Sequence, residues 1–259
     1  MTDVVRVERD GTIATVVLNR PKKLNALNHA TWLRLHEVLR QLDADESLRC
    51  VVLRGAGGKA FAAGADISEF AEHRKGVAEA KRYGEAEHNG VMAVAECRHP
   101  TVALIQGACV GGGLEIAGAC DIRIAGRSSR FGVPINRLGL TMAYPELQFF
   151  VATFGRVAAL EILLEGNVVD ADRAFALGLV NRVVADDQVE AEAYAAARRI
   201  AGGAPLVNRW HKKFMRRLLD PKPLTAPELD EAFAAFGTAD YRTGYRAFLE
   251  KRTPEFEGK

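Results

Sequence analysis

One pattern occurs twice and limits the folds open to this chain. A short, continuous apolar run ends in a stretch of glycine and alanine. CVVLR (50–54) leads into GAGGKAFAAGAD (55–66), and PTVALI (100–105) leads into QGACVGGG (106–113), which opens the helical segment LEIAGAC (114–120). Five or six apolar residues bounded by charge and glycine read as a strand buried on both faces. DIRIA (121–125) is a third such strand. Buried strands alternating with helices build a largely parallel sheet, with ligands outside the carboxyl ends of the strands. The predicted class is α/β.

The flanking segments fit that frame. Val4–Arg9 and Thr12–Leu18 alternate around Asp10-Gly11, which predicts a hairpin. Asn28 is a candidate N-cap for a helix to about Leu42, with Trp32, Leu35, Val38, Leu39 and Leu42 on one face. A charged region from Ser68 to Ala95 ends in an amphipathic helix. The chain turns helical at Val157, and a short strand is expected around Arg182–Val184. From about Val189 only helices are predicted. RWHKKFMRR (209–217) reads as a solvated face beside buried Trp210, Phe214 and Met215, or as a phosphate-binding rim.

Composition excludes several functions. The 259 residues are 48% hydrophobic and 26% charged, a globular profile. The net charge of +2 gives no global field for nucleic acid. Four cysteines lie far apart without CxxC spacing, and six histidines form no HxxxH or HExxH pair, so no metal set is expected. The charged N-terminus has no signal-like apolar stretch, and no run reaches the ~18 apolar residues of a membrane span. A cytoplasmic protein with no membrane partner is expected.

The second glycine loop carries the chemistry. Gly111–Gly113 open a helix, where unpaired N–H groups and the helix dipole favour an anion or a developing oxyanion. Glu115, three residues after Gly112, is the only charged residue between Gly107 and Asp121. In apolar surroundings its pKa rises and it can move protons near neutrality. The alternative is a helix cap, bonding back to the cap N–H. The first loop, GAGGKA, mimics a dinucleotide fingerprint, but no acidic residue follows a second strand about 20 residues on. There is also no GxSxG elbow.

Six segments then resemble, in order, the crotonase family, the enoyl-CoA hydratase/isomerase superfamily: LNRPKKLNAL (18–27), KAFAAGADISEF (59–70), PTVALIQGACVGGGLEIAGACDIRIAG (100–126), SRFGVP (129–134), DADRAFALGLVNRVV (170–184) and ADYRTGYRAFLEKRTPEFEGK (239–259). The resemblance implies a crotonase-like spiral of ββα repeats over 1–195 and a C-terminal helical trimerisation region over 196–259. It implies a homotrimer or homohexamer acting on an acyl-CoA thioester. Coenzyme A is then part of the substrate, with no separate cofactor. By motif match, the backbone N–H groups of Ala65 and Gly112 form the oxyanion hole and Glu115 is the acid/base. Substrate contacts are implied at Lys23, Leu24, Ala63, Asp66 and Ile67.

The chain departs from the family pattern at one decisive place. Hydratases of the family carry a second glutamate after the proline of FGxPE, and here that position is Ile135. The glycine-rich loop that usually follows is replaced by TMAYPELQ (141–148). Water addition to a 2-enoyl-CoA, a lyase reaction, then needs Glu115 for both proton transfers, or another group such as Tyr144 or Glu146. The alternatives are decarboxylation of a malonyl-type thioester, double-bond isomerisation, or acyl-CoA binding without turnover.

Overall fold

The computed structural model describes residues 3–259. β1 (Val5–Asp10) and β2 (Ile13–Leu18) form an antiparallel hairpin in register Val5↔Leu18 to Asp10↔Ile13. The loop is Gly11-Thr12, and Gly11 takes the positive φ of +56° that the turn requires. α1 (His29–Ala44) starts at Asn28, whose side chain accepts the Thr31 N–H at 3.0 Å. Its stripe of Trp32, Leu35, Val38, Leu39 and Leu42 is buried, as the spacing predicts.

The chain then winds. β3 (Cys50–Gly55) is followed by β4 (Ala60–Ala62), α2 (Phe70–His73) and α3 (Val77–Glu96). β5 (Thr101–Ile105) is followed by β6 (Ala108–Val110) and α4 (Gly112–Ala119). β7 (Ile122–Gly126) is followed by β8 (Arg130–Gly132), α5 (Tyr144–Phe154) and α6 (Arg156–Glu165). The first strand of each turn joins one sheet and the second joins another. The larger sheet has the order β1-β2-β3-β5-β7-β10, parallel from β2 onward. The smaller has the order β4-β6-β8-β9. After α6 come β9 (Val169–Asp170), α7 (Ala171–Ala176) and β10 (Arg182–Val184). This is the ββα spiral that the resemblance implies.

Period-two alternation places the core on both faces of the larger sheet. Val51, Leu53, Ala103 and Ile105 face the helices α1, α3 and α4. Cys50, Val52, Val102 and Leu104 face α8 (Val189–Ala201), which presents Val189, Ala193, Ala196 and Ala197. The division expected at 195/196 falls inside this helix, which by its packing belongs to the sheet. α9 (Pro205–Arg217), α10 (Ala226–Glu231) and α11 (Ala239–Leu249) complete the chain.

The basic run on α9 corrects the expectation for 209–217. Trp210 and Phe214 are only half-buried and Met215 is 69% exposed. Several of the cations act as ties instead. Lys212 Nζ reaches Asp121 Oδ2 at 2.8 Å and the His99 carbonyl at 3.2 Å, and Arg209 donates to the carbonyls of Glu46 and Leu48. Lys213 and Arg217 pair with Glu231 and Glu228.

Candidate active site

The two glycine-rich loops meet. After β3, Gly57 and Gly58 turn the chain with φ of +79° and +67°, and a strand follows rather than a helix. A dinucleotide site of the fingerprint type therefore has no helix N-terminus here. Asn25 braces this loop by donating to the carbonyls of Ala56 and Ala60. Further on, Leu27 N donates to Gly64 O at 2.8 Å and Asp66 N donates to Leu27 O at 2.9 Å. In this parallel bridge Ala65 sits opposite Leu27, so its own N–H points away from Leu27. Gly64 packs on the other loop. A Cβ at Gly64 would lie 3.2 Å from Val110 O, and one at Gly111 would lie 3.5 Å from Gly64 Cα. Ala65 and Gly112 thus leave from adjacent points. Among the described residues neither of their N–H groups has an acceptor.

Gly112 is the first residue of α4, and Glu115 lies in its first turn. All eight residues of this helix are buried. The capping alternative for Glu115 fails, because Gly111 N donates to Gly132 O at 2.8 Å and no side chain caps the helix. Glu115 is 8% exposed, and its buried Oε2 has no hydrogen-bond partner among the described residues. Burial pushes its pKa well above the usual carboxylate range. Glu87 and Glu146 push it further, and Arg74 opposes them.

The carboxyl opens onto a cavity of about 670 Å³ between α3, the 134–143 segment and α5. Arg74, Glu87, His88, Ile135, Met142 and Glu146 line it with Glu115. Two contacts join titratable groups across elements. Arg74 Nη2 lies 2.8 Å from Glu87 Oε2, and His88 Nδ1 lies 2.8 Å from Glu146 Oε1. The Arg74 guanidinium also stacks 4.2 Å above the ring of Tyr83, whose hydroxyl donates to Leu27 O. Burial raises the pKa of Glu87, Arg74 opposes the shift, and Glu146 adds to it.

The remaining sequence candidates divide. Ile135 lines the cavity. Tyr144 is 88% exposed and does not line it, whereas Glu146 does. Leu24 lies with Lys22, Gly57 and Lys59 around a separate hollow of about 240 Å³. Lys23 is exposed and Ile67 is 57% exposed. Ala63 N donates to Leu24 O, which links the two segments. The Asp66 carboxylate is engaged by Ser68 and by Arg20 at 2.7 Å, so its side chain braces the loop. Arg74, Glu87 and His88 were not singled out from the sequence. A signal for Glu87 exists: it falls between Tyr83 and Val91 on the buried stripe of α3.

The profile of the enoyl-CoA hydratase/isomerase family matches residues 8–259. The chain belongs to this family. A short-chain-enoyl-CoA hydratase of Clostridium acetobutylicum is 35% identical over 253 residues, covering 97% of this chain and 96% of its own. A crotonyl-CoA hydratase of Syntrophomonas wolfei is 32% identical over 255 residues, covering 98% and 97%. The crystal structure of an enoyl-CoA hydratase/carnithine racemase from Magnetospirillum magneticum superposes with a TM-score of 0.98 at 51% identity, covering all of this chain and 97% of that one. In this chain the glutamate of the GGGLE segment and Ile135 line the same cavity.

Proposed function

We propose that the protein is an enoyl-CoA hydratase-like lyase that adds water to a 2-enoyl-CoA thioester. One observation carries the reading: Glu115 keeps a buried, unpartnered carboxyl at the head of α4, beside two backbone N–H groups without acceptors. Ala65 N–H and Gly112 N–H hold the thioester oxygen, and the α4 dipole adds to the field on the enolate. Glu115 takes a proton from water as the water oxygen bonds the β-carbon. Coenzyme A belongs to the substrate and no separate cofactor takes part. The hollow rimmed by Lys22 and Lys59 supports an anionic nucleotide end beside the Lys23-Leu24 segment and the Ala63–Ile67 loop. A homotrimer or homohexamer is supported by exposed apolar side chains at the C-terminal helices, among them Leu229, Phe233, Phe236, Tyr245 and Phe248.

Two rival readings fare worse. A malonyl-type carboxylate would enter a cavity whose guanidinium, Arg74, is already paired with Glu87 at 2.8 Å. A protein that only binds acyl-CoA gains nothing from an unpartnered buried carboxyl, which costs about 1–3 kcal/mol of stability. The test is loss of the conjugated thioester absorbance of crotonyl-CoA, with CO₂ release from methylmalonyl-CoA as the competing assay. Glu115→Gln is expected to lower hydration by roughly 10²–10⁴-fold. A variant that keeps the wild-type rate removes Glu115 from the mechanism.

A further inference from the structure

Hydration moves two protons: one leaves the attacking water and one arrives at the α-carbon. Glu115 serves the first, and Ile135 has no titratable atom for the second. The cavity wall supplies another acid from a different element. Glu146 stands in the first turn of α5, just after Pro145, with a side chain only 9% exposed. Its Oε1 lies 2.8 Å from Nδ1 of His88, whose side chain is 37% exposed and so reaches water. Glu87 is placed differently. Its partner is Arg74, a guanidinium that stays charged and has no proton to lend. A histidine lends and takes protons near neutrality. The other charged groups facing Glu146 are Glu115 from α4, Glu85, Glu87 and Lys81 from α3, and Arg74 from the end of α2.

Resting on the hydratase reading, we propose that Glu146 is the second catalytic residue, giving its proton to the α-carbon and regaining it from solvent through His88. The water O–H bond breaks toward Glu115 as oxygen bonds the β-carbon, and the π electrons move onto the thioester oxygen. The enolate then collapses, the Glu146 O–H bond breaks, and its proton bonds the α-carbon. His88 passes a proton to Glu146 and Glu115 releases its own to water, so the net change is one added water. The second acid has moved from the segment after β8 to the head of α5.

Three assays on the full chain decide it: hydration of crotonyl-CoA, exchange of the α-hydrogens of butyryl-CoA in D₂O followed by mass, and the pH profile of each. Glu146→Gln is expected to slow hydration and exchange by roughly 10²-fold or more, mainly through kcat. His88→Asn slows both less and shifts the pH profile, because the relay is cut while the acid remains. Glu146→Asp, which retains a carboxyl, restores part of both rates. If Glu146→Gln hydrates and exchanges at wild-type rates, the proposal is overturned while the hydratase reading stands. If the wild type does not hydrate crotonyl-CoA but exchanges the α-hydrogens, and Glu146→Gln stops that exchange, the role of Glu146 stands and the hydratase reading falls. A wild type that does neither overturns both. Should Glu146→Gln fail to fold, wild-type rates and an unmoved pH profile in His88→Asn and Glu146→Asp overturn the proposal.

Discussion

Replacing Glu115 by Gln removes an ionisable group from a place that disfavours its charged form, so the variant should lose activity and gain stability. The carboxyl is 8% exposed, its Oε2 has no partner, and the nearest cation, Arg74, is already 2.8 Å from Glu87. Its folded pKa lies well above its ordinary value of 4.5. The sign follows from proton counting. Below the unfolded pKa both states are protonated and the group contributes no difference. As pH rises through that value the unfolded chain releases its proton and the folded chain keeps it, so stability falls by about 1.4 kcal/mol per pH unit. The fall ends at the folded pKa, and beyond it the penalty is constant. Gln has no such titration, so its advantage grows from about pH 5 upward. An unsatisfied buried polar group sets the scale at about 1–3 kcal/mol near neutrality. For a chain of this size that raises the melting temperature by roughly 2–4 °C per kcal/mol. The assay is urea unfolding of both proteins at pH 5, 6, 7 and 8 at one protein concentration. A stability difference that is constant with pH, or that favours the wild type, would refute the claim that this site penalises the ionised carboxyl.

Two further outcomes test the loops. Gly113→Ala places a Cβ 2.4 Å from the Ala62 carbonyl oxygen, a backbone atom, and is expected to destabilise the protein by at least about 1–3 kcal/mol in urea unfolding. Asp66, held at a pKa of about 2 by hydrogen bonds from Ser68 and then Arg20, contributes stability above its unfolded pKa that is lost as pH falls toward 2. Asp66→Asn should therefore be about 2 kcal/mol less stable than wild type at pH 7, with the gap closing between pH 4 and pH 2 in acid unfolding curves.

The larger sheet was legible because its strands are five- and six-residue apolar runs closed by charge or glycine, as CVVLR and PTVALI show. The smaller sheet was not legible from periodicity. Its strands are AFA, ACV, RFG and VD, too short to display a period of two, and their pairing is decided by the winding of the chain. The site divides in the same way. Gly112 and Glu115 stand out as a glycine run opening a helix and a lone charge in an apolar segment. The role proposed for Ala65 uses its main chain, which leaves no mark in side-chain chemistry, so only the family resemblance pointed to it. Arg74, Glu87 and His88 were hidden in a region rich in charge, where a carboxylate on the inward stripe of a helix looks like one on its solvated face.

The position of the second acid can change because its demands are looser than those of the oxyanion site. In the proposed mechanism two main-chain N–H groups must meet one atom, a demand that the close packing of the loops at Gly64 and Gly111 fits. A carboxyl need only reach the α-carbon, and α5 reaches the same cavity wall as Ile135. This predicts non-additivity between the two positions. Ile135→Glu adds a fifth carboxyl to a cavity already lined by Glu85, Glu87, Glu115 and Glu146, and exchanges an apolar side chain packed against the core for an ionisable one. It is expected to destabilise the protein by about 2 kcal/mol or more at pH 8 and by less at pH 5, where carboxyls in such a cluster retain shared protons. In Glu146→Gln the same substitution leaves the number of carboxyls unchanged. Its penalty should be smaller by about 0.5–3 kcal/mol, the coupling expected of neighbouring residues. A double-mutant cycle in urea at both pH values measures this directly. Strict additivity would place the two side chains in separate surroundings and deny Glu146 access to the wall that Ile135 occupies.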